Sequence, residues 1–191
     1  LSWYDAGHRD LPWRSEPAPY RVWVSEIMLQ QTRVEAVRGY FSRWMNALPD
    51  IPALAAADEA VYTKLWEGLG YYSRVRNLHR AAVLLCEEYG GELPADYDRL
   101  LALPGVGEYT AGAVASIAFG LPVPAVDGNV LRVAARLDND FTPITDAKFK
   151  KQTRERFAAL MPSDRPGDLN QSLMELGATV CLPNGTPRCD D

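Results

Sequence analysis

The chain has 191 residues, is 47% hydrophobic and carries 14 prolines, enough apolar material for one globular unit or two small lobes. Its formal net charge of −5 excludes a protein that holds nucleic acid by overall charge, so any such contact needs positive charge concentrated locally. No apolar run is long enough to span a bilayer, no signal peptide is visible, and three cysteines do not make a disulfide framework, so a cytoplasmic or otherwise intracellular setting is expected.

In chain order the sequence reads as helix almost throughout, with no convincing alternating strand, and the expected class is all-α. Leu11-Pro12-Trp13-Arg14 reads as an extended, anchored turn. Arg14 beside Trp13 is placed to stack on or clamp a flat ligand, although a tryptophan packed under a loop is the simpler reading of this stretch alone. From Val22 to Leu29, six of eight residues are apolar, and Glu26 sits among them. A carboxylate left unpaired there has its pKa raised by desolvation, which is what a general acid at neutral pH requires. The competing reading is a glutamate at the rim of an amphipathic helix, facing water. Gln30-Gln31-Thr32 follows directly and offers side chains able to hydrogen-bond base edges.

Two basic clusters come next, Arg33, Arg38 and Arg43, then Arg74, Arg76, His79 and Arg80. Each reads equally well as a solvated helix face. Between them, Gly68-Leu69-Gly70-Tyr71-Tyr72 is a glycine-flexed loop showing two aromatics, which could wedge into a base stack or close the core. Val75, Leu78, Ala82, Cys86 and Tyr89 then form a helical stripe.

The chain is organised around residues 100–132. Leu103-Pro104-Gly105-Val106-Gly107 reads as a hairpin between helices, since proline cannot continue a helix and the glycines permit positive φ and leave N–H groups uncovered. A helix is expected over residues 109–119, and its start is an anion site that can take a phosphate without Lys or Arg. Breaks at 120–124 and 162–167 follow, with 121–126 as the expected boundary between lobes. Asp127 is the expected N-cap of a helix over 128–137, with Asn129 in its first turn. Helices are also expected over 148–161 and around Leu169, Leu173, Leu176 and Val180. Cys181 and Cys189 close the chain, and two thiols cannot complete a cubane cluster or a structural zinc site.

Taken together, LPWR at 11–14, SEIMLQQT at 25–32, GLGYYSRVRNL at 68–78, LPGVGEYTAGA at 103–113, VDGNVLRV at 126–133 and NQSLMELGATVC at 170–181 resemble the helix-hairpin-helix base-excision DNA glycosylases, and within them the adenine-specific branch. The resemblance covers almost the whole chain. It implies a two-lobed all-α fold, with a six-helix barrel carrying the hairpin over residues 15–121. Residues 1–14 and 122–191 form a second helical lobe that normally carries an iron-sulfur loop, and the active site lies in the cleft between the lobes. The implied partner is double-stranded DNA with adenine opposite 8-oxoguanine or guanine, bound by a monomer.

The implied roles are these. Glu26 is the acid and Asp127 stabilises the sugar cation, with Tyr109 and Asn129 supporting them. Trp13, Arg14, Leu29, Val34 and Gln171 line the adenine pocket. Gln31 and Tyr71 enter the DNA stack, and Leu103, Gly105, Val106 and Gly107 anchor the duplex. The related endonuclease III branch carries a lysine nucleophile two residues beyond the hairpin's second glycine; here that position is Tyr109, so strong lyase activity is not expected. A non-catalytic DNA-binding module is a further alternative, against which Glu26 and Asp127 together argue.

Two departures accompany the resemblance. Seven residues separate Cys181 and Cys189, one more than the family's usual spacing, and the chain stops where a third cysteine would fall. Both ends look cut, so the full-length protein is expected to continue with a third and a fourth cysteine and to carry a [4Fe–4S] cluster, incomplete or absent in this chain. These 191 residues also hold no counterpart of the domain that inspects the opposite base in this family, so discrimination of the lesion is not expected from them alone.

Overall fold

The computed structural model describes residues 1–190. Among them are eleven helices and no strand: α1 (Ser2–Gly7), α2 (Pro19–Leu29), α3 (Val34–Ala47), α4 (Ile51–Ala55), α5 (Glu59–Trp66), α6 (Ser73–Tyr89), α7 (Tyr97–Leu101), α8 (Glu108–Phe119), α9 (Gly128–Leu137), α10 (Ala147–Leu160) and α11 (Pro166–Thr179). None is long and apolar enough to cross a membrane.

Local chemistry sets several helix ends. Asp50, Asp96, Asp127 and Asp146 each accept a backbone N–H three residues on, at 2.8–2.9 Å, so part of the acidic excess is spent on caps. Two prolines do not break the chain: the break expected over 162–167 is narrower than its prolines suggest, and the same holds at Pro52. Pro52 and Pro166 lie inside the first turns of α4 and α11, where a missing N–H leaves no bond unmade. The α6 helix ends on Gly90 in the left-handed region, and the Gly91 N–H returns to the Leu85 carbonyl at 2.9 Å.

The fold divides into two compact units, with the division falling within α8. One holds residues 10–114. Its centre is α2, on which every residue from Val22 to Met28 is buried, packed against α3 and α6. Trp23, Trp44, Trp66, Phe41 and Met28 fill the interior, with Trp44 and Trp66 edge to face at 5.7 Å. The Tyr20 hydroxyl donates to the Leu48 carbonyl at 2.9 Å and accepts from Trp44 Nε1 at 3.0 Å, so both of these buried polar groups are paired, whereas Trp23 Nε1 is buried without a partner.

The other unit holds residues 1–9 and 115–191. Here α9 packs on α10 and α11, around Val130, Ala134 and Phe157, with Leu173 and Val126 alongside. Asn170 is buried: its amide donates to Ser116 Oγ at 2.7 Å and the Val123 carbonyl at 2.9 Å, and its oxygen accepts from the Ala125 N–H at 3.0 Å. This fastens the extended stretch that leads into Asp127.

Candidate functional site

Glu26 faces the interior rather than water. It is 6% exposed, on a helix buried on all sides, and the Tyr109 hydroxyl donates to its Oε2 at 2.6 Å. The reading of Glu26 as a solvated rim residue is therefore overturned. Its rotamer is held by a phenol from the first turn of α8, a residue whose own backbone is held by the helix. A neighbouring tie, from the Gln30 side-chain amide to Thr110 Oγ1 at 3.3 Å, joins the end of α2 to the same turn.

Asp127 stands in different surroundings. Its Oδ1 accepts from the Val130 N–H at 2.8 Å and its Oδ2 from the Asn129 side-chain amide at 2.6 Å, at the positive end of α9. Burial pushes its carboxyl above the usual 3.8, while these donors and the Arg132 guanidinium pull the other way. Arg132 in turn donates to Asn129 Oδ1 at 2.9 Å, to the Gly177 carbonyl at 2.6 Å and to the Cys181 carbonyl at 2.9 Å. It thereby fixes which end of the Asn129 amide meets the carboxylate. Gly177 is required by the same packing, since a Cβ there would come 2.5 Å from that of Asn129.

The hairpin runs from the end of α7 into α8. Gly105 is left-handed at φ +77°, and a Cβ on it would meet Asn77 Cβ at 2.7 Å; Gly107 is not left-handed. Leu103 and Val106 are buried, so at its surface the turn offers the backbone at Gly105 and Gly107.

The other expected site residues fall as follows. Trp13 is buried, edge to Phe41 at 5.5 Å, the placement of a core side chain, and Arg14 closes the turn through its N–H to the Leu11 carbonyl at 2.8 Å. Leu29, Val34 and Gln171 are half-buried. Gln31 and Tyr71 are exposed, and both have positive φ, at +57° and +47°. The second basic cluster does not form one face. Arg74 turns inward onto backbone carbonyls, Arg76 pairs with Glu59 at 3.0 Å, and His79 stacks on Tyr62.

Glu175 escaped the sequence reading. It is 1% exposed and takes a two-pronged ion pair from Arg9, at 2.7 and 2.9 Å, plus the Arg9 N–H at 3.0 Å. The clue was present: it lies between Met174 and Leu176, as Glu26 lies among apolar neighbours.

Cys181 is half-buried, with Arg136 donating to its Sγ at 3.2 Å, and Cys189 is exposed. Among the described residues no group of three or more His, Cys, Asp or Glu is placed to hold a metal ion. Two thiols supply half of the ligands a cubane needs, so these residues do not by themselves fit a complete cluster.

Residues 24–161 match the family model of HhH-GPD superfamily base excision DNA repair proteins, a stretch that includes Glu26, the hairpin and Asp127. The chain belongs to the HhH-GPD superfamily. It is 48% identical to the adenine DNA glycosylase of Mus musculus over 198 residues, covering 99% of this chain and 38% of that protein. The chain thus spans well under half the length of the curated mammalian relatives it matches. Among solved structures, a thermostable thymine-DNA glycosylase superposes with a TM-score of 0.88 at 27% identity, covering 100% of this chain and 87% of that one. A non-covalent endonuclease III–DNA complex superposes at 0.83 with 25% identity, covering 100% and 86%. The all-helical fold is that of the HhH-GPD glycosylases.

Proposed function

We propose that this HhH-GPD chain is the catalytic portion of a monofunctional adenine DNA glycosylase, which hydrolyses the N-glycosidic bond of adenine opposite 8-oxoguanine or guanine. The observation that carries the proposal is the buried Glu26 carboxyl held by Tyr109, the residue standing where a lyase needs an amine. The adenine-specific names of its relatives support the choice of base.

An adenine must leave the duplex stack before any group reaches its glycosidic bond. Cleavage then leaves negative charge on the base and positive charge on the sugar, and two carboxyl groups meet the two needs, as in glycoside hydrolysis. Glu26 gives its proton to N7 of the adenine. With Oε2 accepting from Tyr109, that proton belongs on Oε1. Once ionised, Glu26 helps activate water. Asp127 stays ionised, with Val130, Asn129 and Arg132 countering its burial, and stabilises the sugar cation. Trp13, Arg14, Leu29, Val34 and Gln171 form the adenine pocket, Gln31 and Tyr71 hold the distorted stack, and the backbone at Gly105 and Gly107 takes a phosphate. Cys181 and Cys189 are two of the four ligands of a [4Fe–4S] cluster in the full-length protein, and no step above depends on that cluster.

The test is adenine release by the full-length protein from a duplex with one adenine opposite 8-oxoguanine. Release with strand breaks only after alkali, lost in Glu26→Gln, supports the proposal. Breaks without alkali point to a lyase, and bound DNA with no release from any mismatch leaves a binding module.

A further inference from the structure

Arg74 donates to six acceptors, none of them a carboxylate. Its Nη1 donates to the carbonyls of Ile27 at 3.0 Å, Met28 at 3.2 Å and Gln30. Its Nη2 donates to the carbonyls of Leu69 at 2.9 Å and Gly70 at 3.2 Å, and reaches Thr32 Oγ1 at 3.5 Å. One edge of the guanidinium therefore serves the end of α2 and the other the loop before α6. The rings of Trp66 and Tyr71 lie 5.3 and 5.7 Å from its centre.

The residues just beyond these acceptors are unusual. Gln31 and Tyr71 are two of the three non-glycine residues with positive φ among those described, a conformation that crowds Cβ against the carbonyl. Tyr71 is also 64% exposed, an aromatic ring turned to water. Such strain persists only where the surroundings over-determine it. Here the surroundings are a planar fork whose two prongs hold the peptides preceding both tips, a geometry that a single ammonium cannot reproduce.

We propose that Arg74 is a positioning residue: it locks the Gln31 and Tyr71 tips together in their left-handed shape, so that both side chains meet the duplex as one preformed wedge. The proposal rests on the glycosylase reading for what the wedge does, but the lock itself belongs to the free protein. Preforming both tips removes their ordering cost from the base-extrusion step.

Two measurements on the free full-length protein test the lock. In the wild type, Arg74 should give separately resolved, slowly exchanging Nη protons by NMR; averaged, rapidly exchanging signals overturn the lock, whether or not any variant folds. In Arg74→Lys, amide exchange at Thr32 and Leu69 should speed up together by about tenfold or more, with Val130 and Leu131 of α9 unchanged. Acceleration in one loop only, or in neither, also overturns it.

A third measurement tests the purpose. In the Glu26→Gln background, extrusion is read from the fluorescence of 2-aminopurine placed at the target adenine. Arg74→Lys should lose about tenfold of the extrusion equilibrium, and nothing further once Gln31→Ala and Tyr71→Ala are present. A full additional loss in that background, or a salt slope reduced by about one, would mean that Arg74 is a phosphate contact and not a lock. The first two readouts need neither DNA nor activity. Failure of the lock is therefore distinguishable from failure of adenine release in the wild type, which would sink the glycosylase reading instead.

Discussion

Glu26 and Asp127 are both carboxyl groups withdrawn from bulk water, yet they are held by different kinds of partner. Glu26 sits midway along a helix buried on every side, near the tryptophan-rich core of its unit, with a phenol as its named donor. Asp127 sits at a helix start, with a backbone N–H and a carboxamide donating to it and the Arg132 charge acting on it. Burial lifts the Asp127 carboxyl above the usual 3.8, and the helix N-terminus, the two short donors and Arg132 offset only part of that rise. Two roles can thus be assigned to one functional group without any difference in the chain's intrinsic chemistry.

The comparison is broken most directly at Glu26. In Glu26→Gln the full-length protein should lose about 10³-fold or more of single-turnover adenine release while keeping its melting temperature, because the amide fills the same space but carries no transferable proton. A residual rate within tenfold of wild type would remove Glu26 from the acid role.

Asp127→Asn should lose about 10²–10³-fold, since a neutral amide cannot stabilise a cation. Its stability should be equal or higher, because asparagine caps a helix as well as aspartate. The sign follows from linkage. A folded-state pKa raised above 3.8 favours the native state fully below that value, and this contribution is lost as pH rises through the folded pKa. At neutral pH the wild type therefore carries the burial penalty that Asp127→Asn lacks. Melting curves of the two should converge as pH falls toward 3.8, and a variant markedly less stable at neutral pH would contradict this account.

Smaller effects sharpen the contrast. Tyr109→Phe should slow release by about tenfold, as one hydrogen bond that orients the acid is removed. Asn129→Ala should cost a similar or smaller factor. It should also shift the acid limb of the pH–rate profile upward, because Asp127 loses a donor that favours its ionised form. An acid limb that does not move would separate Asn129 from the titration of Asp127.

How much of this was readable beforehand varies by residue. The Asp127 cap and the helix it opens were legible because both depend on neighbours within one turn. The hairpin was legible for the same reason, although only one of its two glycines is left-handed. The burial of Glu26 was suggested by its neighbours, and the resemblance implied that Tyr109 supports the carboxyl pair, but local chemistry could not show that it bonds Glu26, since 83 residues separate the partners. Arg74 looked like one member of a basic helix face. Nothing within its own turn indicates that its acceptors lie up to 47 residues away.

The order of residues alone thus specified the all-helical class, the Asp127 cap, the turn at Pro104-Gly105 and that Glu26 and Asp127 merit attention, because each follows from periodicity, propensity or contacts a few positions apart. Tertiary structure alone decided that Glu26 faces a phenol, that Glu175 is answered by Arg9 and that one guanidinium joins two loop tips. Each of these requires distant segments to meet, and they meet only when the apolar faces of the helices pack together and bring their few polar groups within bonding distance.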